Sequence, residues 1–429
     1  MAFLASPRRT IQSSLRRSDR RLGYETYIPI LLIIFALMIW LPSIMNPALS
    51  TPQWEEGHIA RVRRLRPRIG AYYYTWYDSE QWKVWKTKYQ PTLGLYESSN
   101  ESTIHAHADW AKHAGIDFFI MSYSKNIPEI VEYVRHPVAL PIALHVESLI
   151  LYQRAVKSHA NSSAFVYDGS IDFKRKAKNF YTGESCTFGD CYAQFLIKAM
   201  EEIILPYHEK YLFVGERPVF VLYLARDFAN YDESIMNLKV KFKQRFGVFP
   251  YLIADSVWFL DNKPRLEAHR KMGIHHWNAI TAYNRYEGKL LAESLDEYMK
   301  RIEIEYEEYS KGESEGSRAL MIPYVQPGYD DTMIRREVKP KGKDRPVHSR
   351  GDGKTYESFW NLAKRIIDKN PCDKVDPTEL FIFISTFNEW HESTAIEPAV
   401  EWGKEYLQIT RERSRTFLPG CKADAKRVL

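Results

Sequence analysis

The chain has 429 residues, 45% of them hydrophobic, enough for one large core or two modest ones. Its net charge of +6 rests on two arginine clusters: Arg8, Arg9, Arg16, Arg17, Arg20 and Arg21, then Arg61, Arg63, Arg64, Arg66 and Arg68. Without them the body is slightly acidic, so composition argues against nucleic acid as a partner.

Those clusters flank an apolar segment. No charged residue lies between Glu25 and Glu55, and Tyr27–Met45 is almost wholly apolar, about the minimum for a bilayer-spanning helix. Arginines just before it favour a cytosolic N-terminus. We therefore expect a cytosolic tail over 1–26, a transmembrane signal anchor over 27–45, a stem over 46–67 and a lumenal domain over 68–429. That is a single-pass type II arrangement. The competing expectation is a cleaved signal peptide, processed near Asn46-Pro-Ala-Leu-Ser50; the long basic lead and the length of the apolar run oppose it. The cysteines pair most simply as Cys186–Cys191 and Cys372–Cys421, and no Cys-x-x-Cys metal pattern occurs. Asn100-Glu-Ser and Asn161-Ser-Ser are N-glycan sequons that matter only in a lumen.

From Arg68 onward strand-like and helix-like runs alternate. Strands are expected at Arg68–Trp76, Asp117–Tyr123, Pro141–Val146, Pro218–Leu224, Tyr251–Val257, Ala279–Tyr283, Ala319–Val325 and Leu380–Thr386. Helices are expected near Ser102–Ala114, Pro128–Val134, Ala193–Lys210 (after a long insert), Glu233–Phe246, Pro264–Met272, Leu291–Lys311, Tyr356–Asp368 and Glu405–Phe417. Eight alternations imply an α/β fold, a (β/α)8 TIM-type barrel preceded by the transmembrane helix and short stem. A doubly wound open sheet is the alternative, but no Gly-x-Gly-x-x-Gly or Walker sequence supports a nucleotide-binding form of it. The basic, Gly-containing stretch Lys339–Lys354 reads as a mobile rim or lid.

A barrel places its chemistry just after the strands. Polar clusters fall there: Tyr72–Asp78, His145–Glu147, Arg226–Asp227, Asp255–Trp258, Tyr283–Arg285, Gln326–Asp331 and Asn388–Glu392. The last is the most pointed, because an uncharged run, Phe381–Phe387, ends abruptly in Asn388, Glu389, Trp390, His391 and Glu392. Cleavage of a glycosidic bond needs a proton donor for the leaving oxygen and a second carboxylate to complete the displacement. Glu389 and Glu392 are the candidate catalytic pair; an ordinary acidic loop is the bland alternative. Glu397 is expected to support a helix start rather than act as a third catalyst.

The stretch Ser385-Thr-Phe-Asn-Glu-Trp-His-Glu-Ser-Thr-Ala-Ile-Glu-Pro-Ala399 resembles the signature of glycoside hydrolase family 99, the glycoprotein endo-α-1,2-mannosidases. Tyr72-Tyr-Tyr-Thr-Trp-Tyr77, His145-Val-Glu147 and Pro327-Gly-Tyr-Asp-Asp-Thr-Met-Ile-Arg335 are similar to it too, as are, less specifically, Gly353, Tyr356 and Trp360. These motifs follow the family's order across nearly the whole expected barrel. The resemblance implies a Golgi membrane enzyme cleaving an internal α-1,2-mannosidic bond in glucosylated high-mannose N-glycans. It implies Glu392 as general acid and then base. Glu389 would deprotonate the sugar 2-hydroxyl, giving retention through a 1,2-anhydro sugar, with no metal or organic cofactor.

Substrate contacts are expected from Tyr72, Trp76, Tyr77, His145, Glu147, Tyr283, Tyr329, Asp330, Asp331, Arg335, Asn388, Trp390 and His391. Each has a structural alternative: core packing for the aromatics, a satisfied rim pair for His145 and Glu147, a solvated turn for Tyr329–Arg335. The chain departs from the family at Ser393 and Ala395, where Gly and Gln are usual, and at Ser148-Leu149, where Pro-Tyr is usual. These departures leave open a related endo-glycan hydrolase of different linkage preference. From another class comes a catalytically idle glycan-binding relative.

Overall fold

The strand β1, Arg68–Tyr73, is buried along nearly its whole length, as expected of a strand covered on both faces. The same holds for β2 (Phe118–Tyr123), β3 (Ile142–Val146), β4 (Arg217–Leu222), β5 (Tyr251–Asp255) and β6 (Ala279–Thr281). The seventh position is split into β7 (Leu320–Met321) and β8 (Tyr324–Val325), because Pro323 has no N–H to continue a ladder. The last strand is β9, Phe381–Ile384. This computed structural model describes residues 66–84, 86–124, 126–160, 169–256, 276–283, 294–311, 320–334, 347–369 and 377–417.

All these strands pair in parallel, in the order β7-β6-β5-β4-β3-β2-β1-β9-β8. The two ends of that order are one stretch of chain. Ile322 N donates to Ile280 O on one side, and Phe383 N donates to Pro323 O on the other. The sheet is therefore curled, with residues 320–325 touching both of its flanks.

Alternate residues of each strand serve two cores. Ile69, Ala71 and Tyr73 of β1 pack against the helices, with Phe119, Met121, Ile142, Leu144, Ile382 and Ile384. Tyr72 faces the other way, with Phe118, Ile120, Val219, Val221, Ile253, Phe381 and Phe383. Each such Leu, Ile, Val or Phe contributes about 1.5–3 kcal/mol by leaving water. Gly70 is needed in that inner layer: a Cβ there would stand 2.4 Å from the Phe118 ring.

The described helices are α1 (Ser79–Val84), α2 (Glu101–Ala114), α3 (Ile127–Arg135), α4 (Ser148–Ala160), α5 (Phe188–Ala199), α6 (Asp232–Phe246), α7 (Leu295–Lys311), α8 (Lys354–Asp368) and α9 (Glu405–Thr416). Local chemistry marks their starts. The Asn100 side chain caps α2 by accepting from Ser102 N, and Thr187 caps α5 by accepting from Asp190 N. The helix expected at 264–272 lies outside the described residues.

Two expectations need correcting. The long insert after the third strand begins with α4, whose Leu151, Tyr152, Ala155 and Val156 form a buried stripe at helical spacing. The stretch 339–354 is not wholly a mobile rim either. Among its described residues His348 and Arg350 are buried, and α8 opens at Lys354.

Cys186 and Cys191 form a disulfide, joining the hairpin Lys176–Lys178/Ser185–Thr187 to the first turn of α5. Cys372 and Cys421 lie outside the described residues. Among the described residues no helix is long and apolar enough to cross a membrane. The anchor expected at 27–45, the tail and the stem up to residue 65 lie outside them.

Candidate active site

The ends of the parallel strands bring distant residues into one cluster. β1 continues into Tyr74, β2 carries Ser122, β3 leads to His145 and Glu147, β5 ends in Asp255, and β6 runs on to Tyr283. β9 delivers Glu389 and Glu392 on the loop that follows it. The Tyr72 ring meets His145 and Tyr283 edge-on, each with ring centroids 4.8 Å apart, and His145 stacks on Tyr283 at 5.4 Å. The Tyr74 hydroxyl donates to the Tyr283 hydroxyl, joining the first strand to the sixth. Asp255 anchors two loops, accepting from Leu224 N at 3.1 Å and Tyr283 N at 2.9 Å.

Three glutamates share this cluster. Glu389 and Glu147 are buried, whereas Glu392 is half-buried. Burial holds the Glu389 carboxyl well above the usual carboxylate range, and the negative charges of Glu392 and Glu147 add to the effect. Burial likewise lifts Glu147 to about 7, against a 2.8 Å hydrogen bond from Ser122 Oγ; Glu392 and Asp255 reinforce the rise. His145, deprived of water, falls to about 3 and is neutral near neutrality. Its Nδ1 stands 3.6 Å from Glu147 Oε1, beyond a good hydrogen bond. Close carboxylates that raise one another retain a proton into the neutral range, the condition acid–base chemistry needs.

The loop after β9 is held from both ends. Thr386 N donates to Thr394 O, Glu389 N to Thr386 Oγ1, and Thr394 N to Glu389 O, closing a compact ring around the first glutamate. Asn388 clasps the first strand, with Oδ1 accepting from Tyr74 N at 2.8 Å and Nδ2 donating to Tyr74 O at 2.9 Å. Trp390 N donates to the Tyr77 hydroxyl, and Trp390 Nε1 donates to Glu397 Oε2. Beyond Glu392 the chain turns at Ser393, where φ is 55°. Glycine adopts that left-handed backbone more easily, but here Ser393 Oγ donates to Asp330 O at 2.9 Å. Asp330 N in turn donates to Glu392 O.

Glu397 is fully buried and accepts from three sides: Tyr96 Oη at 2.7 Å, Trp390 Nε1 at 3.0 Å and His107 Nε2 at 3.0 Å. His107 Nδ1 pairs with the Tyr73 hydroxyl. Glu397 therefore supports the site, but not at a helix start, since α9 begins only at Glu405.

The sequence-predicted residues thus fall into groups. Tyr72, His145, Glu147, Tyr283, Glu389 and Glu392 are brought together. Asn388 and Trp390, expected to touch substrate, are fully buried and spend their polar atoms on Tyr74 and Glu397, so they hold the loop instead. Tyr77 is buried between Trp82 and Trp390 N in the same role. His391 is buried, its ring 5.3 Å from Tyr77, and burial lowers it to about 3. Trp76 is partly buried and stacks on Tyr74 at 4.2 Å. Asp330 binds Lys88 Nζ at 2.8 Å and caps Thr332, which draws its carboxyl below the usual range despite partial burial. Tyr329 and Asp331 are buried beside it, and Arg335 lies outside the described residues.

Sequence reasoning missed Tyr74, Ser122 and Arg350 as site residues. The first two sat in plain view, one in a quoted motif and one at a strand end. Arg350 gave no signal in a basic stretch. It is buried, donates to Ser393 O at 2.9 Å and Ala395 O at 2.7 Å, and lies over the Trp402 and Tyr406 rings. Among the described residues no group of three or more His, Cys, Asp or Glu is placed to hold a metal ion.

Comparison with known proteins bears on this arrangement. A family model described as Glycosyltransferase WbsX matches residues 190–410, just over half of the chain. The glycoprotein endo-alpha-1,2-mannosidase of Xenopus laevis is 32% identical over 113 residues, 23% of this chain. That of Mus musculus is 32% identical over 117 residues, 24% of this chain. The match spans 22% of the length of each of these relatives. The GH99 endo-alpha-mannosidase from Bacteroides thetaiotaomicron superposes with a TM-score of 0.52 at 16% identity, over 82% of this chain and 97% of that one. A glycoside hydrolase-like protein superposes with a TM-score of 0.58 at 15% identity, over 81% of this chain and 94% of that one. The superpositions speak for the fold, a curled parallel α/β sheet like that of the GH99 structures. Since its family model runs through more than half of the residues, the chain belongs to the WbsX family, with named relatives of the GH99 endo-α-mannosidase type.

Proposed function

We propose that this protein is a retaining endo-α-mannosidase acting on glucosylated high-mannose N-glycans. One observation carries the reading: Glu389 and Glu392 reach one cluster from a single loop, close enough that the charge of Glu392 disfavours ionisation of Glu389. In the proposed reaction the Glu389 carboxylate removes the proton of the mannose 2-hydroxyl as that oxygen attacks its own C1. The bond from C1 to the glycosidic oxygen breaks, and Glu392 gives its proton to that oxygen. The 1,2-anhydro sugar then opens: water attacks C1 and yields a proton to Glu392, while O2 recovers its proton from Glu389. Two inversions at C1 give net retention. The cycle starts with one proton on the pair; the reacting state carries it on Glu392, with Glu389 ionised against the burial that otherwise favours its neutral form. Tyr72, His145, Glu147 and Tyr283 would line the sugar site.

The anchor expected at 27–45 and the sequons support a lumenal, Golgi-membrane setting for this activity. Incubation with a defined set of high-mannose glycans and analysis of products is the direct test. Release of a glucosylated mannose oligosaccharide from the glucosylated members is expected; no product from any member would refute the reading. A second reading, glycosyl transfer, takes its support from the description of the family model. In that case an acceptor sugar hydroxyl replaces water in the second step, and added acceptor yields a lengthened product.

A further inference from the structure

Arg350 combines features that rarely meet by accident. It is 8% exposed, and among the described residues no carboxylate neutralises it. A buried guanidinium without a counter-ion is unfavourable unless dipoles and rings replace its water. Here two carbonyls, the Tyr406 hydroxyl at 3.0 Å and the faces of Trp402 and Tyr406, at 3.9 and 4.0 Å from Cζ, do so. The two carbonyls belong to Ser393 and Ala395, the residues one and three beyond Glu392. On its other side the same turn hangs on Asp330, through Asp330 N to Glu392 O and Ser393 Oγ to Asp330 O. Asp330 follows Tyr329, which exchanges two backbone hydrogen bonds with His348, two residues before Arg350. Gly328 permits that approach, since a Cβ there would stand 2.9 Å from His348 O and 3.1 Å from Arg350 N. Both supports of the Glu392 turn thus converge on residues 348–350. The ring of bonds around Glu389 shares Thr394 with this turn, but Glu389 N also donates to Thr386 Oγ1, and its neighbours Asn388 and Trp390 are tied to Tyr74, Tyr77 and Glu397 without the arginine.

We infer that Arg350 is a positioning residue for Glu392: the guanidinium fixes the backbone turn that aims this glutamate at the glycosidic oxygen, while Glu389 keeps further anchors of its own in Thr386, Asn388 and Trp390. This rests on the proposed hydrolase reading, in which Glu392 is the proton donor. The arginine tail is rigid, planar and able to bridge two carbonyls at once, which a lysine ammonium does only as a point charge.

The test uses full-length protein carrying Arg350→Lys or Arg350→Ala. Displacing a reacting group by about 1 Å costs on the order of 10²-fold, so kcat on the glycan falls by about that factor with KM within about 2-fold. A fluoride leaving group needs no proton, so the loss on a glycosyl fluoride of the same sugars shrinks to below about 5-fold. Added guanidinium restores part of the Arg350→Ala activity on the glycan. Hydrogen exchange, followed without substrate, rises over 391–396 and at Thr386, whose N–H donates to Thr394 O, and not at Glu389, whose N–H donates to Thr386 Oγ1. Unchanged kcat in both variants would overturn the inference, as would equal losses on glycan and fluoride. Exchange that rises across the whole domain would assign Arg350 to general stability and overturn it too. If wild-type protein acts on neither substrate, the hydrolase reading fails; the exchange measurement then still reports whether Arg350 holds the turn.

Discussion

Trp390 Nε1 donates to Glu397 Oε2 at 3.0 Å, so one of the two residues between the candidate catalytic glutamates is tied to a buried carboxylate seven positions later in its own loop. Glu397 also accepts from Tyr96 and His107, which makes it the common anchor of the loop, α2 and the β1–α2 connection. Glu397→Ala leaves three buried donors unanswered and should cost at least about 3 kcal/mol in denaturant unfolding, at roughly 1–3 kcal/mol per unsatisfied group. Glu397→Gln, which keeps two acceptor lone pairs, should cost less than half as much.

Glu392→Gln tests the chemistry itself. Loss of the proton donor should lower kcat on the glycan by about 10²–10⁴-fold while leaving the unfolding transition in place. Activity within a few-fold of wild type would remove Glu392 from the proposed role.

Glu147 gives a pH signature. Its folded value of about 7 lies above its ordinary value of 4.5 because burial opposes its charge. The folded state therefore holds a proton that the unfolded state has released between those values, and stability falls as pH rises through that window. Below 4.5 the contribution is fully retained; above about 7 it is lost, by about 3 kcal/mol in all. Glu147→Gln should flatten this slope in urea unfolding measured at pH 4.5, 6 and 8. A slope that stays unchanged would place the titration elsewhere.

Ser393 combines a left-handed backbone with a hydrogen bond to Asp330 O. Replacing it by glycine removes about 1 kcal/mol of strain and about 1 kcal/mol of hydrogen bond, so Ser393→Gly should leave stability nearly unchanged. Ser393→Val keeps the strain and loses the bond, and should cost about 2 kcal/mol or more. Chemical denaturation of the two variants side by side checks this.

The strands were legible because burial on both faces leaves an uninterrupted apolar run, and each expected strand has its counterpart. α4 was hidden because it starts at Ser148, directly after β3, without a turn signal to separate the two periodicities. Within the site, Glu389 and Glu392 announced themselves as charges at the end of an apolar strand. Trp390 and Asn388 looked equally functional, yet their partners Glu397 and Tyr74 lie where only packing could reveal them. Arg350 was legible only as one more cation in a basic stretch.

By itself the sequence determined the alternation of elements, the end of the sheet at which polar residues gather, and the carboxylate pair in the Asn388–Glu392 cluster. These follow from local periodicity and from the rule that parallel sheets place ligands beyond their strand ends. Tertiary structure alone decided that Glu147, expected only to touch substrate, interacts electrostatically with that pair, that Glu397 anchors their loop, and that Arg350 grips the turn beyond Glu392. Each of these depends on residues 7 to more than 200 positions apart meeting in a buried space, where loss of water makes every charge and hydrogen bond count for more than it would along an isolated chain.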